Sequence, residues 1–297
     1  MKNILIKNGR RKKILSDREL TVWILTYNRI ESVLVALSSL LGQTFIGFNV
    51  LIMVDNEKSV YEKLITNSVF ESLRIALYSK GISVEVICSG HTKGVCKAKN
   101  VLLANTYTDW FVYLEDDAWF SPTYLEKLMQ VVDTVDFLDI VAGVAGVQQI
   151  TYIGENEPGF SSYSFNRFTY PLDGQIVNEF ELLDDRIFYK NKHQLNFYVE
   201  GTAPALLSSQ CFIHTYLLNT EKVNEIGGWD LRFNDIPFAF EEVDVTYSLY
   251  KKGYKLYTVP SAEMYHLRNK DARPITDYNQ LQDRYNILEQ LFIKKHF

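Results

Sequence analysis

The sequence predicts an α/β fold in which a mixed sheet of mostly parallel strands is flanked by helices. Apolar runs typical of strands alternate with helical patterns through the first half of the 297-residue chain. This is the pattern of successive strand–helix units in such folds. Hydrophobic residues make up 47% of the chain and charged residues 23%, which indicates a globular protein with a substantial core rather than a disordered one.

Four strand–helix units account for the first half of the chain. The strands are predicted over residues 20–26, 48–54, 82–88 and 110–114. The helices are predicted over residues 31–41, 59–80 and 95–105, with a fourth that ends near residue 135. The fourth helix opens at Ser121 and Pro122, because serine caps a helix N-terminus and proline suits the first helical position.

The second half of the chain is less regular. Residues 150–195 are rich in Tyr, Phe, Asn and Gly, and we expect an insertion or a set of long loops there. Its aromatic residues either pack the insertion or offer flat faces to sugar rings. Beyond it we expect an apolar stretch at 205–218, helices over 220–226 and 239–252, and a strand over 254–259. Glycines end both helices, at Gly227, Gly228 and Gly253.

Three segments are expected along the chain. They are a basic N-terminal tail at 1–19, one domain at 20–270 with halves at 20–120 and 121–270, and a C-terminal helix at 271–297. The helix is amphipathic, because apolar side chains recur at helical spacing at Leu281, Tyr285, Leu288 and Phe292. We expect it to dock onto the domain or onto a second subunit, which would give a homo-oligomer.

Charge and cysteine content exclude several protein classes. The formal net charge of −5 gives no general attraction for nucleic acid or anionic membranes. The basic run from Arg10 to Lys13 is the one hint of a nucleic-acid partner. No two of the cysteines at 88, 96 and 211 have C-x-x-C spacing, which argues against a disulfide framework and a structural zinc site. Neither a signal peptide nor a transmembrane segment is evident, so a cytoplasmic location is expected.

Polar side chains follow each of the four predicted strands, at the point where the strand ends. They lie at residues 26–29, 55–57, 89–100 and 115–117. Ligands of open α/β sheets bind beyond the carboxyl ends of the strands. The four loops therefore predict a single site at one edge of the sheet.

The third and fourth loops together predict a metal-bridged diphosphate. Lysines surround a helix start beside Gly94, at Lys93, Lys97 and Lys99, and a helix N-terminus suits a phosphate group. The alternative is a solvated basic helix face. The acids Glu115, Asp116 and Asp117 would repel one another and a diphosphate unless Mn²⁺ or Mg²⁺ lay between them. Here the alternative is a solvated acidic turn.

The order of these motifs resembles that of a known family. The motifs T-Y-N-R, V-D-N, G-V-C-K-A-K-N, L-E-D-D, I-G-G-W-D and E-E-V-D run from Leu20 to His266. They resemble nucleotide-sugar glycosyltransferases of the GT-A fold, above all the large inverting family 2. The triplet is also similar to the E-D-D form of N-glycan-branching N-acetylglucosaminyltransferases. The resemblance implies a GT-A fold and a hexosyl- or N-acetylhexosaminyltransferase that uses a nucleotide-sugar, commonly a UDP-sugar, with Mn²⁺ or Mg²⁺.

The resemblance also implies a nucleotide-binding half at 20–120 and an acceptor half at 121–270, and it implies roles for the polar residues of the first half. Thr26, Tyr27 and Arg29 would line the nucleoside pocket, and Asp55 would accept a hydrogen bond from the base. Lys93 and Lys99 would contact the nucleotide-sugar, although Lys99 stands where the family often has arginine in an A-R-N motif. Asp117 would bind the metal together with His266, unless that histidine is structural. Asp116 would lie near the ribose or the sugar, with Glu115 in support.

In the second half, the resemblance implies a general base and a turn beneath the donor sugar. Glu242 matches the second acid of the family's usual E-D pair, with a side chain longer by one methylene. Alternatively, Glu241, Glu242 or Asp244 serves only the dipole of the helix that it opens. The turn would be formed by Gly228, Trp229 and Asp230, where Trp229 either contacts the sugar or packs in the core.

The implied reaction is one direct displacement, which would invert the anomeric centre. The acceptor would be a glycan, a lipid-linked molecule or a protein. The sequence leaves three other functional hypotheses open. They are a sugar-nucleotide pyrophosphorylase, a catalytically silent carbohydrate-binding protein, and a glycosyltransferase that acts on nucleic acid.

Overall fold

The computed structural model of the chain describes residues 4–7, 10–13, 20–92, 94–134, 140–153, 158–165, 180–183, 186–189, 207–209, 211–212, 215–234, 240–268 and 278–297. The described strands are β1 (Ile4–Lys7), β2 (Arg10–Lys13), β3 (Leu20–Thr26), β4 (Phe48–Val54), β5 (Val84–Cys88), β6 (Trp110–Glu115), β7 (Ala118–Phe120), β8 (Val141–Ile153), β9 (Pro158–Phe165), β10 (Phe180–Leu183), β11 (Arg186–Tyr189), β12 (Leu207–Ser209), β13 (Tyr216–Asn219) and β14 (Lys255–Arg268). The described helices are α1 (Ile30–Leu41), α2 (Lys58–Ile65), α3 (Ser68–Ser79), α4 (Val95–Ala104), α5 (Tyr124–Thr134), α6 (Thr220–Glu225), a 3-10 helix (Leu231–Phe233), α7 (Glu241–Lys251) and α8 (Tyr278–His296).

The main sheet is mixed and ten-stranded, as the alternation of patterns predicts for an α/β protein. Its order is β12-β14-β8-β13-β6-β3-β4-β5, with β7 paired to β14 and β9 paired to β8. Strands β6, β3, β4 and β5 run parallel, whereas β13 joins them antiparallel to β6. The carboxyl ends of the four parallel strands therefore meet at one edge, which positions the predicted site.

The core lies on both faces of this sheet. Along β3, Val22 and Ile24 belong to the cluster that packs under α1 and α5, while Trp23 belongs to the cluster under α4 and α7. Side chains of a strand point alternately to opposite faces, so a strand covered on both sides is apolar throughout. That explains why β3 and β4 have the predicted bounds.

Two differences from the predicted elements have local causes. The predicted helix over 59–80 is two helices, because Asn67 accepts hydrogen bonds from the backbone N–H groups of Val69 (2.9 Å) and Phe70 (3.1 Å) and so caps α3. In the predicted irregular segment, β8 extends to Ile153 and pairs with β9 and β14. The pairing with β14 joins residues distant in sequence, which local patterns do not reveal.

The C-terminal helix α8 packs against the core. Leu288 and Phe292 of α8 are buried in the same cluster as α7. The aromatic ring of Phe292 lies 5.4 Å from that of Tyr247 and 5.7 Å from that of Phe240. No helix in the part of the chain that the structure describes is long and apolar enough to cross a membrane.

Candidate active site

The acidic triplet lies at the end of β6, and a cation from the neighbouring strand end relieves its repulsion. Arg29 follows β3, and its guanidinium reaches two of the three acids. Its Nη1 donates to Asp117 Oδ2 at 2.6 Å, its Nε donates to Asp116 Oδ2 at 3.1 Å, and Nη2 also contacts Asp116. Burial raises the pKa of Asp116 to about 6, against the opposing effect of Arg29. The sequence did not indicate that these residues are partners.

Asp117 and His266 converge on one point. Strand β14 pairs with β7 so that His266 lies opposite Ala118, and this register brings His266 Nε2 to 3.1 Å from Asp117 Oδ1. The second ring nitrogen of His266, Nδ1, lies 3.7 Å from Glu115 Oε2. The structure therefore brings together the two residues that the family resemblance assigns to the metal.

This pair fits a hard divalent cation. Neighbouring ligands of an octahedral ion with bonds of about 2.1 Å are separated by about 3 Å, close to the 3.1 Å between Asp117 and His266. Among the described residues, no group of three or more His, Cys, Asp or Glu side chains has an arrangement that would hold a metal ion. With two ligands from the chain, the remaining positions suit phosphate oxygens and water, as is usual for Mg²⁺.

The second and third loops are fastened together through Asp55. Its buried carboxylate accepts hydrogen bonds from Ser89 Oγ (2.5 Å), the backbone N–H of Thr92 (2.6 Å) and Thr92 Oγ1 (2.8 Å). Beside it, the ring of Tyr27 is 51% exposed and lies 5.5 Å from the ring of His91. Asp55 thus holds the third loop against the second, and its contact with a base stays a prediction.

The start of α4 is partly occupied by the protein itself. The side chain of Asn234 accepts a hydrogen bond from the backbone N–H of Lys97 at 3.1 Å. Gly94 has φ +141°, and a Cβ there would lie 2.0 Å from Asn234. The backbone N–H of Lys97, which the sequence suggested as a donor to a diphosphate, is therefore already hydrogen-bonded within the protein. Lys93 lies outside the described residues.

Lys99 points into the protein rather than onto the face that carries Lys97. Its side chain is 1% exposed, and Nζ lies 2.9 Å from Glu242 Oε1 and 3.4 Å from Glu241 Oε1. It also lies 4.3 Å from the centre of the Tyr113 ring. The structure thus brings Lys99 to the predicted base, and its contact with a nucleotide stays a prediction.

The Lys99 cluster perturbs the acidity of its members. Burial alone would lower the pKa of Lys99, but the charge of Glu242, with Tyr216 and Glu241, outweighs it, and the pKa is raised well above its ordinary value. Burial raises the pKa of Glu242 to about 8, although Lys99 opposes this shift. A carboxylate with such a pKa is suited to accept a proton near neutral pH.

The G-G-W-D turn is held by a residue that the sequence analysis did not single out. Asn100 accepts from the backbone N–H of Trp229 and donates to its carbonyl oxygen, both at 2.8 Å. Gly228 has φ +74°, and a Cβ there would lie 2.4 Å from Asn100 Oδ1. In the sequence, only its position at the end of the motif G-V-C-K-A-K-N could have drawn attention to Asn100.

The side chains of this turn face the protein. Trp229 is 2% exposed and packs near Trp23 and Phe111, which supports the core alternative for this tryptophan. Asp230 caps the 3-10 helix by accepting from the N–H of Arg232, and it forms ion pairs with Arg232 (2.6 Å) and Lys295 (3.0 Å). Contact of Gly228 or Asp230 with a sugar stays a prediction.

The end of α8 binds the first turn of α7. Asp244 is 1% exposed, and its two carboxylate oxygens accept from Lys295 Nζ and His296 Nε2, both at 2.8 Å. Asp244 is therefore a buried partner of α8 and not only a charge at a helix start. Lys295 also reaches Asp230, so α8 ties α7 to the G-G-W-D turn.

Solved structures with this fold support the architecture. The chain is similar to GalNAc-T7, solved with UDP, GalNAc and Mn²⁺, at 14% identity and a TM-score of 0.63, covering 87% of this chain and 45% of that one. It is similar to the mannosyltransferase PcManGT of Pyrobaculum calidifontis, solved with GDP-Man and Mn²⁺, at 12% identity and a TM-score of 0.51. The match covers 90% of this chain and 60% of that one. S. aureus TarS matches at 14% identity and a TM-score of 0.50, over 84% of this chain and 36% of that one. The predicted GT-A fold is confirmed.

Sequence comparisons identify the family. A curated protein of Haemophilus influenzae, described as an uncharacterized glycosyltransferase, is 30% identical over 114 residues, which are 38% of this chain. The match spans about a third (34%) of that relative's length. The family model described as "Glycosyl transferase family 2" matches residues 21–192, more than half of the chain. The chain therefore belongs to glycosyl transferase family 2.

Proposed function

We propose that the protein is a metal-dependent inverting glycosyltransferase, which transfers a sugar from a nucleotide-sugar, such as a UDP-sugar, to an acceptor hydroxyl. The biosynthesis of a glycan or polysaccharide would use such a reaction. The observation that carries the proposal is the convergence of Asp117 and His266 at 3.1 Å, on the sheet edge where Asp55 joins the second loop to the third. The charge of Glu115 acts on Glu242, which links this edge to the proposed base.

In the proposed mechanism, Asp117 and His266 would hold Mn²⁺ or Mg²⁺ beside the diphosphate of the donor. The bound ion would supply a Lewis acid that neutralises negative charge on the leaving diphosphate. Glu242 accepts the proton of the acceptor hydroxyl. The acceptor oxygen forms a bond to the anomeric carbon from the face opposite the diphosphate, whose bond to that carbon breaks. A single displacement of this kind inverts the configuration.

Two substitutions test the proposal in the full chain. Glu242→Gln should lower turnover by about 10²- to 10⁴-fold, the range for loss of a general base, while calorimetric binding of UDP with Mn²⁺ is retained. Asp117→Ala should abolish both turnover and the manganese dependence of UDP binding. The assay follows release of UDP from a panel of UDP-sugars with and without Mn²⁺ and candidate acceptors.

The matched control is Glu62→Gln, which changes an exposed acid on α2 and should leave turnover unchanged. Near-normal turnover of Glu242→Gln would overturn the assignment of the base. Manganese-stimulated UDP binding that survives in Asp117→Ala would overturn the metal assignment.

A further inference from the structure

Two departures from the family pattern meet in one buried ion pair. Lys99 stands where the resemblance leads one to expect arginine, and Glu242 stands where it leads one to expect aspartate. These positions are 143 residues apart in sequence, yet Lys99 Nζ donates to Glu242 Oε1 at 2.9 Å. One departure exchanges a cation for a shorter one, and the other exchanges a carboxylate for one that is longer by a methylene.

The surroundings hold Lys99 in this contact. Its side chain is 1% exposed, and a buried ammonium group is stable only when it is paired with negative charge and hydrogen-bonded. Its Nζ lies 4.3 Å from the centre of the Tyr113 ring and 5.9 Å from that of Tyr216, where cation–π attraction adds to the ion pair. Lys99 therefore has a fixed place from which it orients the carboxylate.

The geometry points to Lys99 as the positioning residue for Glu242, with the lengths of the two side chains matched so that the carboxylate reaches the acceptor hydroxyl. This inference rests on the proposed function, in which Glu242 is the base. Arginine at position 99 would push the longer glutamate out of place, because a guanidinium extends further and donates as a planar fork. Aspartate at position 242 would fall short of the lysine.

Besides burial, the pKa of Glu242 depends on several titratable groups on α4, α7, β6 and β13. They are Lys99, Glu241, Glu115, Tyr113 and Tyr216. Only the first of these is a cation. Removal of that cation should make Glu242 harder to deprotonate, so that catalysis requires a higher pH.

A double-mutant cycle tests the match. Lys99→Arg and Glu242→Asp should each lower kcat by roughly 10- to 100-fold, since misplacement of a catalytic group by about 1 Å is costly. The donor KM should change little, because the proposed function places the diphosphate of the donor at Asp117 and His266. The double variant K99R/E242D should recover most of the lost kcat. Such non-additivity is expected only of groups in contact.

Two controls separate positioning from folding. The exposed ion pair of α2, Lys58 with Glu62, gives the matched variants K58R and E62D, for which kcat should be unchanged. Thermal unfolding of each variant reports whether it folds. Lys99→Gln, where folded, should move the acidic limb of the kcat–pH profile to higher pH, an effect that a purely structural role for Lys99 would not produce.

The outcomes separate this inference from the proposed function. If Glu242→Gln turns over normally, the base assignment fails, whatever the cycle shows. If Glu242→Gln is inactive but the losses of K99R and E242D multiply in the double variant, only the matching of the pair is overturned. An unchanged kcat in Lys99→Arg would overturn it as well.

Discussion

Replacement of Asn100 by alanine tests whether α4 holds the G-G-W-D turn. The wild-type side chain makes two hydrogen bonds of 2.8 Å to the backbone of Trp229. Each such bond contributes about 0.5–1.5 kcal/mol, and a partner left without a hydrogen bond in a buried place costs about 1–3 kcal/mol. We therefore expect Asn100→Ala to lower the free energy of unfolding by roughly 2–4 kcal/mol.

The matched control is Asn105→Ala at the other end of the same helix. Asn105 donates one hydrogen bond of 2.8 Å to the carbonyl of Val101, and it is exposed, so its loss should cost less than about 0.5 kcal/mol. Urea unfolding of both variants gives the difference. In thermal unfolding, Asn100→Ala should lower Tm by roughly 4–8 °C, at about 2 °C per kcal/mol.

A second variant separates the two hydrogen bonds of Asn100. Asn100→Asp keeps the oxygen that accepts from the N–H of Trp229, but it turns the donor into a second oxygen that faces the Trp229 carbonyl. It should be no more stable than Asn100→Ala. The reasoning is refuted if Asn100→Ala loses no more stability than Asn105→Ala, or if Asn100→Asp is as stable as the wild type.

Three further predictions concern Arg29, Glu242 and the helix α8. Arg29→Gln should tighten Mn²⁺ binding in the absence of nucleotide by roughly tenfold or more, because Asp117 would lose a competing charged hydrogen bond, which contributes about 1.5–3 kcal/mol. Electron paramagnetic resonance of free Mn²⁺ measures the affinity, and an unchanged or weaker affinity contradicts the prediction. The kcat should fall about tenfold per pH unit below about 8, the pKa of Glu242, because the base must be deprotonated; a flat profile from about pH 6 to 9 would contradict this. Phe292→Ala should lower the free energy of unfolding in urea by roughly 3–5 kcal/mol, because the ring is fully buried. Ile287→Ala, on the exposed face of α8, should lower it by less than about 0.5 kcal/mol, and similar losses for the two variants would argue against docking of α8.

The sequence predicted best the elements whose environment is uniform along their length. Strands β3 and β4 are covered on both faces, so their apolar runs begin and end with the strands themselves. The helix α8 was predicted because one of its faces is buried and the other is not. The far end of β8 was missed, since its structure depends on pairing with β9 and β14 rather than on its own composition.

For the site, the sequence predicted which residues gather at the sheet edge but not how they pair. Strand ends alone place Thr26, Asp55 and the acidic triplet near one another. The partners of the charges are long-range: Arg29 and Asp116 are 87 residues apart, and Asn100 and Trp229 are 129 apart. No local spacing carries that information, because the register of strands and helices decides it.

The two cations of the site differ in a way that bears on what each can do. Arg29 lies between Asp116 and Asp117, and its side chain is 26% exposed. Lys99 lies between Glu241 and Glu242, and its side chain is 1% exposed. Water reaches the cation of the first cluster, so that cation can exchange, whereas loss of one partner from the buried second cluster leaves a charge that nothing compensates.

It follows that the acidic pair at the end of β6 is suited to exchange its cation, and the pair at the start of α7 is not. Under the proposed function, a divalent ion that binds with a diphosphate would replace the arginine at Asp117, and Arg29 would then lie beside the negative charge of the diphosphate. Lys99 has no such alternative, so Glu242 keeps the same partner whether or not a donor is bound. Manganese should therefore alter the environment of Arg29 and leave the contact between Lys99 and Glu242 intact.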